Sequence, residues 1–239
     1  MKKKSFGKLF GVGIGPGDWE LLTLKALRIL KEVDVIFCPK GDEKGSSIAR
    51  SIVERLVDSS KEFVDLVFPM TKDKEVLRNY WEGAAKRIFS EIEKGKNCAF
   101  ITLGDPLIYS TYIYLLKTLR NLYPTMEIET VPGVSAINAA SAKAEIPLLQ
   151  GDESMAIVPS NAKPKVFEYA LKNFETVVIM KIGSKLENVL QRLKKMGLLD
   201  KAYLITRVGQ DGERVIHGLS GLKKVGKEGY MSIIVVRKD

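Results

Sequence analysis

Three stretches of this chain end an apolar run in glycine and pass at once into a segment of helical period. They are LFGVGIGPGDWELLTLKALRIL at 9–30, AFITLGDPLIYSTYIYLL at 99–116 and TVPGVSAIN at 130–138. A glycine backbone takes φ values closed to other residues and lets a flat ligand approach closely. Gly11, Gly13, Gly15 and Gly17 in the first loop, stiffened by Pro16, form such a surface, and Asp18 closes it as a helix N-cap. In the second loop Gly104 bares the backbone, Asp105 can bond a hydroxyl or an amine, and Tyr109, Ser110 and Thr111 add a polar cluster in the first turn of the following helix. The third loop has the same grammar, with Pro132 and Gly133 followed by Ser135 and Ala136 at a helix start. The same residues also fit plain strand-to-helix turns, with Asp105 and Pro106 as an ordinary helix cap.

The glycine spacing excludes two phosphate cradles. A dinucleotide fingerprint needs a third glycine that lets helix and strand pack closely. Counting from Gly11 that place holds Pro16, and counting from Gly13 it holds Asp18. A P-loop fails because no Gly-Lys-Ser/Thr follows. One histidine, His217, cannot build a metal site, and within RVIHGL it alternates with Val215 and Leu219 as a strand residue would. Cys38 and Cys98 sit in apolar runs without paired spacing and read as reduced core thiols, so no metal is expected.

Such loops need a scaffold, and the chain supplies one. β-rich apolar runs at 9–14, 33–38, 63–68, 98–103 and 127–131 alternate with helical segments at 19–32, 46–58, 73–94 and 108–122. That alternation predicts an α/β fold with parallel strands, where ligands sit at the carboxyl ends. After Pro132 the texture changes to a small-residue helix and strands at 154–158, 175–181, 201–206 and 230–236. The turns QDGER and SGLKKVGKEG between the last strands suit antiparallel pairing. A boundary near residue 131 gives domains 1–131 and 132–239, each an α/β domain.

At 239 residues and 45% hydrophobic the chain can bury sizeable cores. No apolar run approaches the length of a membrane span, and the N-terminus lacks an unbroken apolar region with a cleavage site, which predicts the cytoplasm. The net charge of +9 could favour nucleic acid, a membrane surface or an anionic small molecule, but it is spread over Lys/Glu mixtures, so a solvated surface is expected in place of a nucleic-acid face.

The order and wording of the loops carry a resemblance. GVGIGPGDWELLTLKA, TLGDPLIYST, VPGVSAINAA and VVIMKIG, in that order along nearly the whole chain, resemble the tetrapyrrole methylase family. The resemblance implies a homodimer of two αβα domains with a cleft between them, using S-adenosylmethionine and releasing S-adenosylhomocysteine. By motif, the cofactor residues it implies are Pro16, Leu103, Gly104, Asp105, Ile108, Ser135, Ala136, Met180 and Gly209. The glycine hairpin, through Gly13, Gly15 and Asp18, would border the macrocycle, with Ser110 and Thr111 beside it. GDPLIYSTY is similar to the branch that methylates C20 of precorrin-2 or its cobalt form, cobalt-factor II, in cobalamin biosynthesis. The branch acting on uroporphyrinogen III has an aspartate after the second strand, where this chain has Pro39, so a base of that type is absent.

An electron-rich tetrapyrrole carbon can attack a sulfonium methyl directly, so the protein mainly aligns the reactants and excludes water. Tyr109 is a candidate proton acceptor, and Arg207 and Arg214 are candidate partners of the substrate carboxylates. The alternatives are another activity of the superfamily (a different corrin position, ribosomal RNA or the diphthamide precursor) and a non-enzymatic nucleotide-binding module. Calorimetry separates the last: S-adenosylhomocysteine should bind and NAD should not, and heat from NAD alone would reject the cofactor assignment.

Overall fold

The computed structural model describes residues 6–222 and 231–238, and the chain forms two compact units, Met1–Ser135 and Ala136–Asp239. The first carries five parallel strands: β1 (Leu9–Gly13), β2 (Val35–Lys40), β3 (Glu62–Val67), β4 (Cys98–Thr102) and β5 (Ile128–Val131). Their order is β3-β2-β4-β1-β5. Helices α1 (Leu24–Glu32), α2 (Ile48–Val53), α3 (Lys74–Ile92) and α4 (Tyr112–Leu122) connect them. Val12 and Ile14 pack with Ile29 and Leu30 of α1 and Ile52 and Val53 of α2. Leu9, Phe37 and Phe100 pack with Ile88 and Ile92 of α3 and Leu115 and Leu119 of α4. Apolar side chains on both faces are what a doubly covered parallel sheet requires, hence the near-continuous hydrophobic runs. The chain leaves β1 toward β2 and leaves β4 in the opposite direction toward β5. The neighbours β1 and β4 therefore mark the point where the strand order reverses, the usual ligand position in an open α/β sheet.

Two helices start later than the sequence pattern predicts. Asp18 caps only a 3-10 turn, Trp19–Leu21, its Oδ1 accepting from Glu20 N at 2.9 Å, while Thr23 Oγ1 caps α1 through Ala26 N at 3.1 Å. The helix expected from 108 begins at Tyr112, because Asp105 and Ser110 bond the intervening backbone into turns. Tyr109 and Ser110 therefore lie in the loop before α4 and Thr111 at its N-cap, not in its first turn. Pro39 falls inside β2, past Phe37 where the ladder with β4 stops, so its missing N–H breaks no bond to that strand.

The second unit is a mixed sheet of β6 (Met155–Pro159), β7 (Thr176–Met180), β8 (Ala202–Thr206), β9 (Arg214–His217) and β10 (Ser232–Arg237), in the order β6-β7-β10-β8-β9. β6 and β7 are parallel; β10 runs antiparallel to β7 and β8, as β9 does to β8. Helices α5 (Ala136–Ala144), α6 (Pro164–Asn173) and α7 (Leu186–Lys195) belong to this unit. Phe167, Leu171, Val177, Ile179, Val189, Leu193, Leu204 and Ile234 form its core. Buried Arg237 makes a forked pair with Glu153 at 2.6 and 2.8 Å and donates to Thr176 Oγ1. His217 stacks on Tyr203 at the sheet edge, ring centroids 4.1 Å apart. Of the predicted strand 230–236 and the SGLKKVGKEG turn, residues 223–230 lie outside the described residues. Both cysteines are buried, and burial pushes their thiols up to about 12, which keeps them unreactive. Among the described residues no helix is long and apolar enough to cross a membrane.

Beneath the first loop, Gly11 makes room for the fully buried ring of Tyr112, whose hydroxyl meets Thr130 Oγ1 at 2.8 Å. A Cβ at Gly11 would lie 2.0 Å from Tyr112 Cζ. Gly11→Ala should destabilise the protein by about 1–3 kcal/mol through overpacking, whereas Tyr112→Phe should cost only about 1 kcal/mol for the lost hydrogen bond; denaturant unfolding measures both. At another point of the same unit, buried Glu91 meets Lys96, Lys94 and Arg87 at 2.9, 2.9 and 2.5 Å, and these bonds hold its carboxyl down at about 2. Because the folded value lies below the unfolded one of about 4.3, this contribution is present at neutral pH and is lost as pH falls through the folded value. The stability gap between the wild type and Glu91→Gln should therefore shrink between pH 5 and pH 2.

Candidate functional site

The three glycine loops follow three adjacent strands, and the structure locks them together. A Cβ on Gly13 would sit 2.6 Å from Gly133 N and 2.7 Å from Gly104 O; one on Gly133 would sit 2.4 Å from Gly104 O and 2.7 Å from Gly13 C. No side chain fits where these backbones meet. Beyond the strands, the β1–β4 pairing continues through Ile14 N to Thr102 O at 3.0 Å and Gly104 N to Gly15 O at 2.7 Å. Gly15 and Gly104 reach this geometry at φ of 77° and 67°, where an L residue is strained.

Asp105 joins the second loop to the third. Its Oδ1 accepts from Leu107 N at 2.9 Å and its Oδ2 from Gly133 N at 3.2 Å. A carboxylate oxygen can accept more than one hydrogen bond, so Asp105 can organise the loops and still receive a ligand donor. Leu103 and Ile108 flank it half-buried, and Pro16 is buried in the first loop. Ser110 is a framework residue: its buried hydroxyl lies 2.8 Å from Thr102 Oγ1 and accepts from Tyr112 N at 3.1 Å. Thr111 is half-buried beside it. Tyr109 is 37% exposed with φ of 52°, a conformation unusual for a bulky residue. The burial it does have raises its phenol above the ordinary value.

In the second unit β7 and β8 run the same way and β9 returns. Met180 at the end of β7, Arg207 and Gly209 after β8, and Arg214 at the start of β9 thus lie at the same end of the sheet. Lys181 and Arg207, directly after β7 and β8, have φ of 56° and 50°. Left-handed non-glycine backbone of this kind costs of order 1–3 kcal/mol and concentrates at functional loops. Gly209 N donates to Glu213 Oε2 at 2.7 Å, and Arg207 Nη1 reaches Asp211 O at 3.5 Å. Ala136 opens α5 directly after buried Ser135. Sequence reasoning passed over Thr102 and Glu213, because a threonine inside a strand and a glutamate in a charged turn carry no local signal. Among the described residues no cluster of three or more His, Cys, Asp or Glu could hold a metal ion.

The loops after β4, β1 and β5 thus meet through backbone alone, with one carboxylate, Asp105, at their rim. Residues 8–222 match the model of the Tetrapyrrole (Corrin/Porphyrin) Methylases, and the chain belongs to that family of methyltransferases. It is 38% identical to a probable cobalt-precorrin-2 C(20)-methyltransferase of Methanocaldococcus jannaschii, over 97% of this chain and 96% of the relative. It is 32% identical to the cobalt-precorrin-2 C(20)-methyltransferase of Salmonella typhimurium, over 98% and 97%. Among solved structures, a cobalt precorrin-4 methyltransferase shares the fold at a TM-score of 0.76 and 19% identity, over 99% of this chain and 97% of its own. A uroporphyrin-III C-methyltransferase from Thermus thermophilus, complexed with S-adenosyl homocysteine, shares it at 0.64 and 21%, over 97% and 98%.

The two bonds of Asp105 set an expectation. Asp105→Ala leaves the N–H groups of Leu107 and Gly133 without that acceptor, a loss of about 1–3 kcal/mol, and should weaken S-adenosylhomocysteine binding at least about tenfold. Asp105→Asn keeps one acceptor oxygen and should fall between. Calorimetry with thermal unfolding checks the series, and wild-type affinity in the alanine variant would remove Asp105 from the site.

Proposed function

We propose that this protein transfers the methyl group of S-adenosylmethionine to C20 of precorrin-2 or cobalt-factor II in cobalamin biosynthesis. The observation that carries the reading is the knot of three glycine loops at the point where the strand order reverses, with an aspartate at its rim that can still accept a donor. Two relatives that align over nearly their whole length are named for methylation at C20, which supports the position of the transfer.

The residues present suit the cofactor. S-adenosylmethionine supplies a methyl group activated by a sulfonium, and its ribose hydroxyls and ammonium need acceptors while its adenine needs an apolar bed. Asp105 offers the acceptor, and Leu103 and Ile108 flank it with apolar surface beside Gly104. Pro16, Ser135, Ala136, Met180 and Gly209 join this set on the motif resemblance. Gly13, Gly15, Asp18 and Thr111 border the tetrapyrrole in the same reading, with Ser110 fixing the second loop, which carries Thr111. The chain's tasks are to orient the ring carbon and exclude water, and neither needs a strong acid–base pair. Pro39 cannot act as a base, and the candidate acceptor for the proton that the ring carbon loses is Tyr109, whose phenol burial raises above its ordinary value. Arg207 and Arg214 present guanidinium groups for the acidic side chains of the ring. The reading carries with it a cytoplasmic homodimer, which light scattering at micromolar concentration tests directly.

The decisive assay supplies S-adenosylmethionine with precorrin-2 and, separately, with cobalt-factor II. One of them should gain a single methyl group as S-adenosylhomocysteine accumulates, and carbon-13 NMR should locate that methyl on C20. Transfer to another ring position would replace this reading. Arg214→Gln should raise KM for the tetrapyrrole about tenfold, or ~1.4 kcal/mol, with KM for S-adenosylmethionine unchanged.

A further inference from the structure

The segment from Arg207 to Glu213 is an unusual piece of backbone. Arg207, Gly209 and Gly212 all adopt left-handed conformations, with φ of 50°, 72° and 81°. Tight turns hold it locally: Gln210 N donates to Arg207 O at 2.9 Å and Glu213 N to Gln210 O at 3.0 Å. A loop with this much left-handed backbone keeps one shape only when its surroundings determine it. Glu213 supplies that determination. Its Oε2 accepts from Gly209 N at 2.7 Å, and its Oε1 pairs with Lys143 Nζ at 2.6 Å. Lys143 lies in the last turn of α5, where a cation is also favoured by the helix dipole. The carboxylate is mostly shielded, with 18% of the side chain exposed. Burial opposes its ionisation, but the Gly209 N–H and Lys143 outweigh burial and hold it below the usual carboxylate range.

The first residue of α5 is Ala136 and its last turn holds Lys143. One helix thus carries an assigned cofactor residue at its head and, through Lys143 and Glu213, grips the loop of another, Gly209, from its tail. We propose that Glu213 is a positioning residue, anchored by Lys143, that sets the Gly209 backbone for the cofactor while touching neither substrate itself. This rests on the reading above in which Ala136 and Gly209 contact S-adenosylmethionine.

The test uses the full chain and three variants, Glu213→Ala, Glu213→Gln and Lys143→Met. Calorimetry with S-adenosylhomocysteine, thermal unfolding and steady-state kinetics with each substrate varied in turn give the readouts. Glu213→Ala should weaken S-adenosylhomocysteine about tenfold and raise KM for S-adenosylmethionine by a similar factor. Its KM for the tetrapyrrole should rise less, because Arg207 keeps its own bond to Asp211 O and Arg214 is held in β9, a split that a general loss of stability does not produce. Glu213→Gln keeps an acceptor for Gly209 N and should recover most of the affinity. Lys143→Met keeps that bond but frees the carboxylate from α5, for a loss of about threefold, the scale of a partly exposed ion pair. Wild-type affinity in Glu213→Ala, or equal increases in both KM values, overturns the proposal. Should Glu213→Ala fail to fold, unchanged affinity in Lys143→Met overturns it instead. A wild-type protein that gives no heat with S-adenosylhomocysteine would reject the cofactor reading itself, whereas a wild type that binds beside an unaffected Glu213→Ala rejects only the role of Glu213.

Discussion

The backbones of Gly13, Gly104 and Gly133 press against one another where three neighbouring strands end, and the rest of the first unit is arranged around that contact. Adjacent strands lie about 4.8 Å apart, and loops leaving them would ordinarily be held off by their Cβ atoms. With hydrogen in that place the loops close until carbonyl and amide are in van der Waals contact. Closing them buries backbone polar groups, which must then find partners. Thr102 O, Gly15 O and the Asp105 carboxylate provide these for Ile14 N, Gly104 N and Gly133 N. Tyr112 fills the space beneath Gly11, and Ser110 fixes the turn that brings Tyr112 there. Glycine in this chain is as much a packing residue as a conformational one, since Gly11 and Gly13 are required by their neighbours and Gly15 by its own φ.

Much of this was legible in the sequence because the signals are local. The doubly apolar runs marked the parallel strands, and the Gly-Asp-Pro and Pro-Gly punctuation marked the loops that the sheet order makes neighbours. The start of α1 is not legible in the sequence, because two cap residues, Asp18 and Thr23, lie five residues apart and only the fold decides that the first opens no more than a short 3-10 turn. The start of α4 is hidden for a related reason: Ser110 and Asp105 use their side chains on the backbone, and a helical periodicity does not register that competition. Which tyrosine of YSTYIYLL enters the core is settled by a glycine a hundred residues earlier. The link from Glu213 to Lys143 likewise joins a turn to a helix seventy residues away.

The two units solve the same problem differently. In the first, uncharged backbone contacts define the loops, and a single carboxylate finishes them. In the second, ion pairs set the geometry: Glu213 with Lys143 at the loop after β8, and Glu153 with Arg237 where the forked pair also engages Thr176. The Glu213 carboxylate is mostly shielded although Lys143 is half exposed, so a half-broken pair leaves that carboxylate poorly solvated. The second unit can therefore keep strained residues such as Arg207 in place with a smaller core around them.

The central position of β10 has a consequence for how the protein is made. It is the last strand of the chain described here, yet it lies between β7 and β8 and supplies every hydrogen bond that joins them. During synthesis β6 and β7 can pair in parallel across α6, and β8 with β9 antiparallel, but the two pairs are not joined until residues 232–237 leave the ribosome. The first unit, whose five strands are complete by Val131, has its own sheet finished long before. Nascent chains should thus carry a folded amino-terminal half and two open strand edges that wait for one late segment. Those edges are exposed to mispairing from the synthesis of β7 and β8 until residues 232–237 follow.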